Sequence, residues 1–276
     1  MSFEDKSQQY LESGLNFQHA LLRDLLGYTI HPDIRSDGGL PKEAKIADIG
    51  TGTGQWLIDV SAELPSAQLD GFDLSEEQYP SKAWLPSQIS LSQLDITKTI
   101  PSKLEGMYDL VHVQLFLCVV QKTGPAAILN ELYKLLKPGG YLQWVEYDPV
   151  SFKVVSPDPS LEQSANEKHI EIIRGPEGKA TEWPSELSLY LDHAGFQEIN
   201  SKSYPLPPEM YAPFMQCHLF AAEEVSLKAM KNDGSESQGI MFRKLLAEVH
   251  KECQRGVTMA ESPVVVIGQK PVRMSV

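Results

Sequence analysis

The sequence predicts an α/β fold, a seven-stranded and mostly parallel sheet flanked by helices. Three observations carry that expectation. From Lys45 onward, short apolar runs alternate with helical patterns, the signature of a parallel sheet covered on both faces. A glycine-rich turn, Gly50-Thr51-Gly52-Thr53-Gly54, joins the first run to the first of those helices. Two later strand candidates, 196–203 and 264–268, stand where the last strands of the same sheet belong.

Taken in order, residues 7–27 read as a helix with an apolar stripe at Leu11, Leu15, Leu22 and Leu26, stopped by Gly27. Gln18 and His19 fall on that stripe, an unusual place for polar side chains. The turn-rich segment 31–44 leads into the sheet. Strands are expected at 45–49, 68–72, 89–94, 108–113 and 141–145, with helices at 54–64 and 124–136. Residues 151–185 are rich in Pro, Ser and Glu and predict an irregular connection with a helix near 161–174. A helix near 186–194 and the strand 196–203 follow, then a long helical insertion, 205–257, rich in Met and aromatics. Strand 264–268 closes the pattern. The expected organisation is one domain: a helical cap over 1–44, a sheet core over 45–150, and sheet completion with the insertion over 151–276.

Composition narrows the function classes. Lys and Arg number 24 against 37 Asp and Glu, a formal net charge of −13, and no basic stripe interrupts it. A duplex binder neutralises phosphates with clustered cations, so nucleic acid is excluded as the expected partner. The three cysteines, Cys118, Cys217 and Cys253, are scattered without a CxxC pair, which argues against a zinc site or a disulfide framework. Cys118 sits in an apolar run and is expected in the core. Charges at Glu4, Asp5, Lys6 and Glu12 replace the apolar stretch of a signal peptide. No run approaches the ~20 apolar residues needed to cross a bilayer. The expected location is the cytoplasm, with no membrane association.

The chemistry-bearing residues lie in the loops after the strands, where open α/β sheets bind ligands. After the first, Asp48 stands two residues before Gly50, and Gly50, Gly52 and Gly54 alternate. Glycine there permits positive φ and close backbone approach. The dinucleotide spacing GxGxxG fails because its sixth position is Gln55. A carboxylate at Asp48 suits a cationic ligand and would repel a pyrophosphate. After the second strand, Asp73-Leu74 places an acid 19 residues beyond Gly54, positioned to accept both hydroxyls of a ribose. After the third, Asp95-Ile96 offers an acceptor for an adenine amino group, or simply a turn cap.

This combination, followed by Leu-Leu-Lys-Pro-Gly-Gly before the fifth strand, resembles the class I S-adenosylmethionine (SAM)-dependent methyltransferases over roughly residues 45–148. Leu15-Asn16-Phe17-Gln18-His19, Ile30-His31-Pro32 and Gly140-Tyr141-Leu142-Gln143-Trp144 extend the likeness to fungal secondary-metabolite methyltransferases. That group includes N-methyltransferases of diketopiperazine pathways and relatives of the LaeA-type regulator. The resemblance implies a Rossmann-like fold and SAM as cofactor, with S-adenosylhomocysteine as product. Asp48, Gly50, Thr51, Gly52 and Gly54 would hold the methionine portion, helped by Gln18. Asp73 and Leu74 would hold the ribose, Asp95 and Ile96 the adenine, and the backbone at Val113 and Gln114 the ammonium group. Gln114 and Val145 depart from that group's pattern, in which Arg and an acidic residue are common.

Methyl transfer from a sulfonium depends mainly on alignment, so no catalytic triad is expected and none is visible. His19 and Glu146 are the candidate bases, each with a plain alternative as a hydrogen-bonded core histidine and a structurally paired buried acid. Trp144, Met215, His218 and Leu219 are the candidates to line a small-molecule acceptor site. The Met-rich segment 210–215 would suit a bulky apolar natural product. Three rival functions share the pattern: a methyltransferase-like regulator acting through partners, a NAD-dependent oxidoreductase, and a SAM-binding fold used for a non-methylating rearrangement.

Overall fold

A computed structural model describes residues 3–36, 39–175, 182–231 and 236–272; the side chains of 3–13, including Leu11, and of 225, 227–231 and 236–238 lie outside the described residues. Strands among them are β1 (Lys45–Ile49), β2 (Gln68–Asp73), β3 (Ile89–Gln93), β4 (Tyr108–Gln114), β5 (Leu136–Glu146), β6 (Lys153–Val155), β7 (Gln197–Ser203), β8 (Thr258–Ala260) and β9 (Val264–Gln269). No described helix is long and apolar enough to cross a membrane.

The described chain groups into two compact units that cut across the 1–44, 45–150 and 151–276 segments. The larger unit, residues 26–147, 183–204 and 263–276, contains the sheet, in the order β3-β2-β1-β4-β5-β9-β7. Strands β1 to β5 are parallel, and β9 runs antiparallel between β5 and β7. The two late strands therefore do complete the sheet. In β1, Ile46, Ala47, Asp48 and Ile49 are all buried, as expected of a strand covered on both faces. The helix Pro125–Leu135 starts with Pro at its first turn after Gly124 and buries Ile128, Leu129, Leu132 and Leu135 along one stripe. Strand order reverses between β1 and β4, so the crevice at their carboxyl ends is the switch point at which such folds take ligands.

The smaller unit, residues 1–25, 148–182 and 205–262, is mainly helical. Helices Phe3–Leu26 and Ser164–Arg174 belong to it, the former ending one residue into the sheet unit. The insertion 205–257 forms the helices Pro208–Lys231 and Glu236–Cys253. Two elements were not foreseen. A short antiparallel ribbon pairs β6 with β8. In the sheet unit, a helix at Leu117–Thr123 reshapes the apolar run after β4. That helix turns Phe116 and Val120 inward and Cys118 outward, so Cys118 is exposed and not a core residue.

Candidate active site

The glycine loop is folded by its own hydrogen bonds. The amides of Gly50 and Thr51 both donate to the Phe72 carbonyl at 2.7 and 3.0 Å, which ties the loop to the end of β2. Gly50, Gly52 and Gly54 have φ of 72°, 52° and 73°, a left-handed conformation costly for residues with a Cβ. Gly54 caps the helix Gln55–Glu63. At Gly50 a Cβ would stand 2.3 Å from the Phe116 ring, so packing within the protein itself requires a glycine there, whatever a ligand asks of it.

Asp48 is buried, with both carboxylate oxygens engaged inside the protein. The Thr51 hydroxyl donates to one at 2.7 Å, and His112 Nδ1 lies 2.7 Å from the other. Asp48 therefore braces the glycine loop from within, one partner on each oxygen. Asp73, half-buried, accepts from the Gly52 amide at 2.9 Å and the Ser75 amide at 3.3 Å, so the acid after β2 stands against the glycine loop. Leu74 beside it is exposed. Asp95 caps the turn after β3, accepting from the Thr97 amide and hydroxyl and pairing with Lys98 at 3.0 Å. These contacts hold its carboxyl below the usual range, the Thr97 bond contributing most. Ile96 is buried. Val113 and Gln114 end β4 in register with Trp144 and Val145, Val113 buried and Gln114 partly so.

The loop after β4 supplies residues that the sequence did not announce. Leu115 has φ of 56°, rare for a residue with a branched side chain, and its amide donates to the Val145 carbonyl. Phe116 then packs toward Gly50 while its amide donates to Glu146 Oε2 at 2.7 Å. The available signal was modest: His112 and Gln143 interrupt otherwise apolar strands that are covered on both faces.

Glu146 is 0% exposed. It also accepts from the Trp144 indole N–H at 3.3 Å and from its neighbour Tyr147's amide at 3.1 Å. Burial pushes its carboxyl up to about 8, against the pull of these donors. These contacts hold the loops after β4 and β5 together, a bracing role beside that of candidate base. Glu146→Ala is expected to strand those donors and cost about 3 kcal/mol of stability, while Glu146→Gln keeps part of the network and costs less. Urea unfolding of both variants checks this order.

Trp144 is likewise 0% exposed, packed edge-on against Phe116 and Trp183 in the sheet's hydrophobic core. Its ring is enclosed in the core of the sheet unit.

The remaining candidates belong to the helical unit. On the helix Phe3–Leu26, Gln18 is half-buried and His19 buried. On Pro208–Lys231, Met215 is buried, and Leu219 and His218 are partly accessible. His218 Nε2 lies 3.0 Å from Nε2 of the buried His169, with the Phe152 ring edge-on to it. Burial lowers His169 to about 4 and His218 to about 3, so both rings are neutral at physiological pH. In the same unit, burial raises the Glu261 carboxyl to about 8.

These four groups set a pH profile for stability. Between their ordinary 4.5 and about 8, Glu146 and Glu261 keep protons in the folded chain that the unfolded chain has lost, so stability falls as pH rises. Between 6.5 and about 4, the unfolded chain protonates its histidines while folded His169 and His218 stay neutral, so stability falls as pH drops. The two slopes oppose one another from 4.5 to 6.5. Thermal melts are expected to show a plateau there and a decline toward pH 8. Glu261→Gln should lessen that decline, and an unchanged slope would contradict the assignment.

Comparison with known proteins identifies the family. A methyltransferase-domain family model matches residues 47–142. The methyltransferase grgD of a Penicillium species is 35% identical over 96% of this chain and 97% of its own length. The N-methyltransferase gliN of Aspergillus fumigatus is 25% identical over 75% of this chain and 71% of its own. Among solved structures, the cyclase SpnF superposes with a TM-score of 0.51 at 17% identity, covering 96% of each chain. A Galdieria sulphuraria protein described as a sarcosine dimethylglycine methyltransferase gives 0.52 at 14%, over 88% of this chain and 83% of its own. The two structures show a shared fold. The chain belongs to the class I SAM-dependent methyltransferases, in the group of fungal secondary-metabolite enzymes. The oxidoreductase reading is set aside.

Proposed function

We propose that the protein transfers a methyl group from SAM to a small-molecule acceptor of natural-product type, with nitrogen or oxygen receiving it. One observation carries this reading: three left-handed glycines lie at the sheet's switch point with the Asp73 carboxylate on the Gly52 amide. A backbone surface without Cβ atoms at 50, 52 and 54 fits the methionine portion of SAM. Asp73 keeps unused lone pairs for ribose hydroxyls, Asp95 and Ile96 border the adenine position, and the end of β4 at Val113 and Gln114 receives the amino-acid portion. Bound SAM supplies an electrophilic methyl on a sulfonium.

The chain's own contribution is alignment, which is worth ~7–11 kcal/mol when a nucleophile is held in line with its target. Where the acceptor must lose a proton, a general base contributes a factor of about 10² to 10⁴, and His19 and Glu146 are the candidates. The acidic surface disfavours nucleic acid as acceptor. The scattered cysteines suit a cytoplasmic setting. Support for nitrogen comes from relatives named N-methyltransferases.

The test is a transfer assay with methyl-labelled SAM and a panel of small amines and phenols, read as S-adenosylhomocysteine release. Turnover with one panel member is the expected result. Tight SAM binding with no product across the panel would favour the regulator-type reading.

A further inference from the structure

A polar ladder crosses the sheet where its strands are covered on both faces. Asp48 of β1 is in register with His112 of β4, and His112 with Gln143 of β5, so the three side chains share one face of adjacent parallel strands. Their exposures are 3%, 0% and 1%. Polar groups at such depth are costly unless each finds a partner.

Here the partners link two segments. At one end, Asp48 holds the Thr51 hydroxyl of the glycine loop and His112 Nδ1, which carries the proton since a carboxylate only accepts. In the middle, the His112 ring stacks on the Trp56 indole, centroids 3.8 Å apart and planes within 1°. The Trp56 N–H donates to the Thr29 carbonyl at 3.2 Å. At the other end, Gln143 donates to the same carbonyl at 3.0 Å and accepts from the His31 amide at 2.7 Å. Segment 29–31 is thereby pinned, through the ladder, to the loop that begins at Gly50.

We propose that His112 is a positioning residue for the glycine loop. By donating to Asp48, it fixes the carboxylate that holds Thr51, and so pre-sets the loop for its ligand. Its stack on Trp56 keeps the ring in the plane this donation requires. The inference rests on the loop being the SAM site, and it makes no contact with reacting atoms. Hydrophobic isosteres of His112 leave Asp48 buried with one partner fewer; Asn keeps an N–H donor near the Nδ1 position.

The experiment compares the full-length wild type with His112→Leu, His112→Asn and Thr51→Val. S-adenosylhomocysteine affinity is read by calorimetry, and amide hydrogen exchange at 50–54 in the ligand-free protein. Losing the partner that orients a metal ligand typically costs about 10- to 100-fold in affinity, and the low end of that scale is the expectation for a braced loop. His112→Leu is expected to weaken affinity at least about tenfold and speed loop exchange, with His112→Asn restoring both to within about threefold. Thr51→Val should reproduce the loss, and adding it to His112→Leu should cost nothing further. If His112→Leu fails to fold, Thr51→Val and His112→Asn carry the comparison, together and singly. Wild-type affinity and exchange in His112→Leu, or no rescue by Asn, would overturn the proposal. A wild type that does not bind the nucleoside at all would instead overturn the SAM reading, and loop exchange would still report on the brace.

Discussion

Gly50→Ala is expected to lower the stability of the protein by about 2–5 kcal/mol. Two physical effects add at this position. Its φ of 72° costs a residue with a Cβ roughly 1–2 kcal/mol. The new methyl would also stand 2.3 Å from a Phe116 ring carbon, an overpacking that typically costs about 1–3 kcal/mol. The Phe116 ring is buried and packs edge-on against Trp144 in the core, which opposes its rotating away. Gly54→Ala is the internal control. Its φ of 73° is just as left-handed, but a Cβ there would meet Leu91 methyls at 3.5 and 3.6 Å, ordinary contacts. It should therefore cost only the backbone strain, roughly 1–2 kcal/mol. Urea unfolding with unchanged slopes measures both. Equal midpoints for the two variants would show that the Phe116 contact carries no weight.

Asp73→Ala is expected to weaken S-adenosylhomocysteine binding about 100-fold while leaving the fold intact. Hydrogen bonds to a charged group are worth about 1.5–3 kcal/mol, and a ribose presents two hydroxyls to this carboxylate. Asp73 is half-buried and its other partners are the Gly52 and Ser75 amides, so its removal should cost affinity far more than stability. Asp73→Asn, which keeps one acceptor and loses the charge, should fall between. Calorimetric affinities beside thermal melts separate the two effects.

The sheet was legible because β1, β4 and β9 are short, mostly apolar and buried runs, and because β9 keeps that pattern after the long insertion; β7, polar and mostly exposed, was legible only by its place after a helix. The helix Leu117–Thr123 and the β6–β8 ribbon were not legible. Both are too short to show a period, and the ribbon pairs residues about a hundred positions apart. The glycine loop and Asp73, singled out separately in the sequence, meet in the fold: Gly52 bonds to Asp73 across 21 positions. Trp144 and Glu146 show where the pattern stops being informative. In a strand covered on both faces, alternation does not distinguish a residue facing a crevice from one facing the core. The same limit hid His112 and Gln143, whose polarity looked like noise in apolar runs until register aligned them with Asp48.

The most direct measurement is a calorimetric titration of the full-length protein with S-adenosylhomocysteine, the stable demethylated product. Saturable binding at a single site, together with a ligand-dependent rise in melting temperature that Asp73→Ala abolishes, is the predicted result. A flat titration and an unmoved melt at millimolar ligand would mean that the loop at 50–54 serves some other chemistry.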